Sequence, residues 1–328
     1  MMLFKRPNVS VIMASYNHAG FVEEAVRSVL DQSANNIEII VVDDGSSDGT
    51  ADKVERIRDS RIKLIRLAEN RLTHPRNLAL SMAKGRYIAF QNSDDVWLPG
   101  KLEAQLKKLE ADRKLAVSFT AVEIIDLKGN SVSSWLDGRF LTENATSEQW
   151  LRRFFDKGNC FCISSAVVRW SSLAKVGFFK PSLFQLADLD LWVRLAAVGN
   201  FYIHNKKYTK MRSSRKNLSY PTPETYRRSS LELTEILKRY LEPPVVKLTS
   251  NIFQEVLPRD HKSLLYLKVG LAYYCLKRSS PAHRRFADFI LAGIIDDPKM
   301  RQQATKVFGG EMVNKFIENR ASMETIIK

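Results

Sequence analysis

The first 90 residues switch repeatedly between short apolar runs and stretches with helical spacing. PNVSVIMAS, from Pro7, is rich in β-branched residues and reads as a buried strand. The FVEEAVRSVL that follows sets Phe21, Ala25 and Val29 beside Val22, Val26 and Leu30 on one helical stripe. IEIIVVDD is a second strand, SSDGTADKVERI a second helix with Ser47 or Asp48 as its N-cap, and RIKLIRL a third strand. Pro75 opens a helix where its missing N–H costs nothing, Gly85 ends it, and RYIAFQ is a fourth strand. Alternating β and α elements predict a mainly parallel sheet covered by helices on both faces.

Beyond Asp95 the pattern loosens and predicts a mixed sheet. A helix runs from Pro99 through Leu109, KLAVSFTAVEIID is a strand, and residues 125 to 145 form a polar hairpin or loop. TSEQWLRRFFDKG is helical, CFCISSAVVRW a strand, and ADLDLWVRLAAVG an amphipathic helix ending at Gly199, after which FYIHNKKYTKMRS closes the region. From Thr222 the chain reads as helical throughout, with breaks at Pro243-Pro244, Pro258, Pro281 and Pro298. The expected division is therefore an α/β domain over 1–219 and an all-helical domain over 220–328.

At 328 residues, 45% hydrophobic and 27% charged, the composition excludes disordered and fibrous classes. The longest apolar stretch, LLYLKVGLAYYCL, has 13 residues and includes Lys268, too short to cross a bilayer. With no apolar segment behind the basic pair at the start, and with Cys160 and Cys162 too close for an ordinary disulfide, the reading is a cytoplasmic protein with buried thiols. The charge of +15 is uneven: residues 1–200 hold 27 basic and 24 acidic side chains, residues 201–328 hold 24 and 12. Basic pairs at Arg227-Arg228, Lys238-Arg239, Lys277-Arg278 and Arg284-Arg285 point to an anionic partner, with lipid headgroups at the cytoplasmic membrane face favoured over nucleic acid, for which no motif is present.

Two acidic clusters carry the candidate chemistry. In VVDDGSSDGT, Asp43 and Asp44 stand at the carboxyl end of a buried strand, where open α/β sheets bind ligands; the plain alternative is a capping turn with solvated acids. In FQNSDDVWLP, Asn92, Asp94 and Asp95 bring short oxygen-bearing side chains together after a strand, suited to Mg²⁺ or Mn²⁺ bound with a diphosphate; an Asx turn is the alternative. The first turn, ASYNHAGF, lacks the glycine pattern of a dinucleotide site and carries no basic residue for a nucleotidyltransferase phosphate loop. The five His residues show no i, i+4 pair. Trp97 or Trp135 is a candidate for stacking on a sugar.

VSVIMASYNHAGFVEEAVRSVLDQS, IEIIVVDDGSSDGT, ENRLTHPRNLAL, KGRYIAFQNSDDVWLPGKLEAQ and ADLDLWVRLAAVGNF together resemble the inverting glycosyltransferases of family 2, over roughly residues 7 to 219. The resemblance implies a GT-A nucleotide-sugar-binding fold, a Rossmann-like mixed sheet flanked by helices. It implies an enzyme that moves a sugar from a nucleoside diphosphate donor, UDP-linked, to a glycan or lipid-linked hydroxyl in cell-surface polysaccharide synthesis. By the same resemblance Ala14, Ser15, Tyr16, Asn17, Asp43 and Asp44 line the nucleotide pocket, Arg76 lies near the nucleotide, and Asn92 and Asp94 approach the ribose or metal. Asp95 holds Mn²⁺ or Mg²⁺, and Asp188 is the general base. The chain departs from the pattern at Leu72, Pro75, Asn92, Ala187 and Ser214, the last standing for a histidine, so that diphosphate contacts fall to Arg212 and Arg215. The competing reading is a basic nucleic-acid- or membrane-binding protein whose first domain is inactive.

Overall fold

The computed structural model describes residues 7–34, 36–70, 74–215, 217–257, 263–311, 313–315 and 318. Leu72 and Pro258, both named above, lie outside them. The chain divides into two compact units, Met1–Thr225 and Tyr226–Lys328.

The first unit begins as the periodicity predicts: β1 (Val9–Ser15), α1 (Val22–Leu30), β2 (Ile37–Asp43), α2 (Thr50–Glu55), β3 (Ile62–Arg66), α3 (His74–Met82) and β4 (Tyr87–Asn92). It continues with β5 (Val96–Trp97), α4 (Lys101–Ala111), β6 (Leu115–Ile125), α5 (Ser147–Lys157), β7 (Val167–Arg169), α6 (Trp170–Val176), α7 (Ala187–Ala196) and β8 (Asn200–Arg212). The eight strands form one sheet in the order β3-β2-β1-β4-β7-β6-β8-β5. The first four run parallel, β7 is antiparallel to both β4 and β6, and β5 is antiparallel to β8. A mixed sheet is thus what the looser second half builds.

The apolar stripe on α1 explains its position. Val22, Ala25, Val26 and Val29 are buried against Val9, Val11, Ile39, Val41 and Tyr87 of the sheet, with Leu102 and Leu106 of α4 closing the same core. α5 starts at a capping box in which Thr146 accepts from the Gln149 backbone N–H and the Gln149 side chain accepts from the Thr146 backbone N–H. A second aromatic core, Phe119 stacked on Phe161 and edge-on to Trp192 and Phe201, fixes α7 behind the sheet.

Three local expectations change. α2 begins at Thr50, with Gly49 as N-cap at φ 87°, although Asp48 does accept the Thr50 backbone N–H. The CFCISSAVVRW run is a strand only over Val167–Arg169. Residues Ile163–Ser165 form a 3-10 turn and Trp170–Val176 a helix, because the polar groups in this run are engaged by the site described below. α3 ends at Met82, and Gly85 is needed for a different reason: a Cβ there would stand 2.4 Å from the Ser10 backbone nitrogen.

The second unit is helical: α8 (Pro223–Leu237) leads into it, followed by α9 (Val246–Ile252), α10 (Leu264–Leu276), α11 (Pro281–Ile295) and α12 (Pro298–Phe308). Among the described residues no helix is long and apolar enough to cross a membrane. Part of the expected cationic face is used internally. Lys238 pairs with Glu235 and Arg239 with Glu242, Arg285 donates to Ser230 and Thr234, and Arg284 donates to the Arg278 carbonyl.

Candidate functional site

The loops leaving β1, β2 and β4 emerge side by side because these three strands are parallel neighbours, so their carboxyl ends frame one crevice. Asp43 ties two of them together: its Oδ1 accepts from Ser15 Oγ at 3.1 Å and Ser46 Oγ at 2.6 Å, and its Oδ2 from the Ser46 N–H at 3.0 Å. Asn17 adds a second link, donating its N–H to Ser46 Oγ and accepting the Ser47 N–H, from a left-handed backbone at φ 52°. Gly45, at φ 75°, makes the exit from β2 where any Cβ would meet the Glu69 backbone at 2.8 Å. Asp44 is buried beside this turn and donates its N–H to the Ser15 carbonyl. Ala14 is half-buried and the Tyr16 ring is 45% exposed, which leaves a flat aromatic face at the mouth of the crevice.

After β4 the two neighbouring acids part company. Asp95 is 1% exposed, and its oxygens are taken by the protein: Oδ1 accepts the Arg212 backbone N–H at 2.9 Å, while Oδ2 accepts Ser164 Oγ at 2.5 Å and Asn92 Nδ2 at 3.1 Å. Asp94 is half-buried, and among the described residues no other residue donates to its carboxylate. Burial pushes Asp94 up to about 6, and burial together with the Asp94 charge pushes Asp95 up to about 7. Arg76 donates to Asn92 Oδ1 at 3.1 Å, and its guanidinium lies within electrostatic reach of Asp188, Asp94 and Asp95. Burial depresses its pKa and the three acids oppose that shift.

Asp188 stands in the first turn of α7, half-buried, with Leu189 and Trp192 wholly buried next to it. Burial raises its carboxyl; the Leu189 N–H, Arg76, Asn159 and Arg139 pull the other way. Asn159 escaped the sequence reading. Its Nδ2 donates to Asp188 Oδ2 at 2.7 Å while its Oδ1 accepts the Phe161 N–H at 3.1 Å, so the amide has one orientation only. Ser164 was also missed, although its Oγ donates to Asp95 Oδ2 and accepts the Asn92 backbone N–H at 3.0 Å, and its carbonyl accepts Trp97 Nε1. Both lie in the NCFCISS run, where isolated polar residues carry no periodic signal.

Other candidates are displaced from the roles expected of them. Arg212 is 3% exposed and its guanidinium is held within the protein: it donates to the carbonyls of Asp94, Asp126 and Leu127, pairs with Glu24 at 2.7 Å, and covers the Phe21 ring. It clamps the end of β8, and Arg215 further along the same segment is exposed. Trp97 is a core residue under Lys101, whose ammonium sits 3.9 Å from the ring centre, so it offers no face to a sugar. Asp190 pairs with Arg194 in the interior, and Arg194 donates onward to the carbonyls of Val176, Gly177 and Phe178.

A divalent ion that travels with a diphosphate needs only one or two protein carboxylates and completes its shell with phosphate oxygens and water. Among the described residues no group of three or more His, Cys, Asp or Glu side chains is placed to hold an ion. The carboxylate of Asp94, to which no other described residue donates, would be the one to hold an ion shared with a diphosphate. Asp95, expected as the ligand, is turned to Ser164, Asn92 and Arg212 and supports the loop from beneath.

The family model described as Glycosyl transferase family 2 matches residues 10–174. TuaG of Bacillus subtilis (strain 168), named for teichuronic acid biosynthesis, is 42% identical over 134 residues, 40% of this chain and 53% of that protein. The Escherichia coli UDP-Glc:alpha-D-GlcNAc-diphosphoundecaprenol beta-1,3-glucosyltransferase WfaP is 43% identical over 106 residues, 32% of this chain and 42% of its own. The matches thus span about half the length of these relatives. Among solved structures, S. aureus TarS 1-349 in complex with UDP-GlcNAc shares the fold with a TM-score of 0.58 at 17% identity, covering 97% of this chain and 92% of that one. Mannosyltransferase PcManGT from Pyrobaculum calidifontis, in complex with GDP-Man and Mn²⁺, has a TM-score of 0.52 at 19% identity, covering 97% and 87%. With a match across half its length and this strand order beneath it, the chain belongs to glycosyl transferase family 2.

Proposed function

We propose that this chain transfers a sugar, with inversion, from a UDP-linked donor to a hydroxyl of a glycan or lipid-linked acceptor in cell-surface polysaccharide synthesis. The observation that supports the reading is that Arg76, which donates to Asn92 Oδ1, lies within electrostatic reach of Asp188, Asp94 and Asp95, so that one cation would serve both a proton acceptor and a diphosphate. The printed specificity of WfaP and the UDP-GlcNAc bound by TarS support the donor class.

In this reading the nucleotide lies in the crevice between the β1 and β2 loops, its base against the Tyr16 ring and Asp44. Asp94 faces the diphosphate, and a divalent ion held there would neutralise charge developing on the leaving group. Arg76 and Arg215 supply fixed positive charge for the same purpose. The acceptor oxygen attacks the anomeric carbon from the face opposite the diphosphate and passes its proton to Asp188. A new C–O bond forms as the anomeric C–O bond to the diphosphate breaks, and the electron pair leaves with the nucleoside diphosphate. Attack from the opposite face inverts the anomeric centre.

A panel of nucleotide sugars tested by thermal unfolding, with and without Mn²⁺, checks the donor class. Stabilisation by uridine diphosphate sugars that requires the ion is expected; no stabilisation by any nucleotide sugar contradicts the reading.

Asn159 gives a sharper result. Its amide N–H favours the charged form of Asp188, so Asn159→Ala raises the Asp188 pKa. The acid limb of the pH–rate profile then moves to higher pH while the rate above that limb stays near wild type and donor KM is unchanged. A limb that stays in place with a uniform loss of rate would mean that Asn159 serves the fold alone.

For the helical unit, 18 Lys and Arg against 11 Asp and Glu over residues 226–328 support contact with anionic headgroups close to a lipid-linked acceptor. Co-sedimentation with anionic vesicles that is lost at high salt is expected, and binding equal to that on neutral vesicles contradicts it.

A further inference from the structure

β1 and β4 pair in parallel as far as Ala14 and Asn92, and beyond that last pair the ladder no longer sets the distance between the loops that follow them. The β1 loop is bound closely to the β2 loop. Besides the bonds of Asn17, the His18 N–H donates to Thr50 Oγ1 at 2.8 Å and the Ala19 N–H to Asp48 Oδ2 at 3.0 Å. The link to the acidic loop after β4 is thinner. Among the described residues one hydrogen bond joins residues 16–21 to residues 93–95, between His18 Nδ1 and Ser93 Oγ at 2.8 Å. Ser93 is buried, and His18 is the one partner of its hydroxyl among the described residues. The same imidazole meets Phe21 edge-on, with centroids 6.2 Å apart, and Phe21 lies beneath the Arg212 guanidinium that donates to the Asp94 carbonyl.

We infer that His18 is a positioning residue for the transfer: its bond to Ser93 sets the acidic loop at the distance from the nucleotide crevice that lets one divalent ion meet both the Asp94 carboxylate and the diphosphate. His18 takes that role on the reading of Asp94 as the carboxylate that shares the ion. An ion with one protein carboxylate and a diphosphate in its shell bridges two separate loops, so its affinity falls when their separation drifts by a fraction of an ångström. No other described residue donates to the Asp94 carboxylate, so its place is set by the residues on either side of it. Asp95 is pinned by Ser164, Asn92 and Arg212, and Ser93 by His18. Supporting hydrogen bonds of this kind govern metal affinity by roughly 10- to 100-fold. The nucleoside end of the crevice does not need the ring, because the β1 and β2 loops stay joined through Asn17, Ser46, Thr50 and Asp48, and the His18 bond to Thr50 comes from the backbone.

Calorimetry with UDP and Mn²⁺, and an NMR titration with uridine, which lacks the diphosphate, test this on the full chain. His18→Ala is expected to weaken Mn²⁺-dependent UDP binding by about tenfold or more and to leave uridine binding as in wild type. His18→Asn, whose amide stands where Nδ1 was, should restore most of the loss, and His18→Gln, whose amide stands nearer the place of Nε2, should not. Ser93→Ala should match His18→Ala, and the double variant should be no weaker than either, since both substitutions remove the same bond. A histidine that serves the fold alone would give a lower melting temperature with both ligands weakened alike. That result overturns the assignment, and so do losses that add in the double variant. Hydrogen exchange of residues 92–95 in the ligand-free protein separates the grip of His18 from the reading of Asp94. Faster exchange there in His18→Ala, when wild type binds no UDP with Mn²⁺, keeps the grip and rejects Asp94 as the ion's carboxylate. Unchanged exchange and undiminished UDP binding in His18→Ala, when wild type binds UDP with Mn²⁺, keeps the reading of Asp94 and rejects His18.

Discussion

Asp188→Asn is expected to lower turnover by about two to four orders of magnitude, the range that a positioned general base contributes, with donor affinity little changed. The substitution preserves shape. An Asn side chain can still meet Asn159 Nδ2 through its own oxygen, and the Leu189 N–H bond within the α7 turn costs little to rearrange. What is lost is the proton acceptor. Steady-state kinetics with saturating donor, together with a donor binding isotherm, separate the two effects. Wild-type turnover would remove Asp188 from the mechanism, and Asp190 could not replace it because its carboxylate is committed to Arg194 in the interior.

Asp94→Ala and Asp95→Ala should fail in different ways although the residues are adjacent. Removing Asp94 takes away the one carboxylate of the pair left open to a ligand. Mn²⁺-dependent binding of a nucleoside diphosphate should therefore weaken by more than the roughly 10- to 100-fold typical of losing a supporting group around a metal, with the melting temperature nearly unchanged. Removing Asp95 strips the partner from Ser164 Oγ, Asn92 Nδ2 and the Arg212 N–H in a site closed to solvent. Each unmet buried donor costs about 1 to 3 kcal/mol, so Asp95→Ala should unfold several degrees lower and lose binding as a consequence. Thermal unfolding and calorimetry on both variants decide the matter. Undiminished stability in Asp95→Ala with binding lost would return the ion to Asp95.

The half of the first unit that could be read from sequence is the half built from local signals. β1 and β2 carry β-branched apolar runs, β3 and β4 shorter apolar stretches, and the intervening helices each show a stripe or a turn residue that limits them. The acidic clusters were legible for the same reason: they fall directly at strand ends. What could not be read depends on partners far away in the chain. Arg212 looked like a free cation because its salt-bridge partner, Glu24, is 188 residues away on the polar side of α1. Asp94 and Asp95 are indistinguishable in sequence, and what separates the structural acid from the open one includes the Ser164 hydroxyl, 69 residues after Asp95, and the Arg212 N–H, 117 residues after it. The Cys-Phe-Cys-Ile run has strand propensity, yet Asn159 and Ser164 hold it in a turn. Tertiary hydrogen bonds there outweigh a local preference worth about 1 kcal/mol across its scale.

The central claim, that a sugar is moved by a single direct displacement at Asp188, is tested most directly by the anomeric configuration of the first product. Proton NMR of a reaction begun with an α-linked UDP-sugar and followed from early conversion reads that configuration before any mutarotation or isomerisation. A β-linked product that Asp188→Asn fails to form is expected. An α-linked product would contradict it, since retention requires a different course at the anomeric carbon from attack opposite the leaving diphosphate.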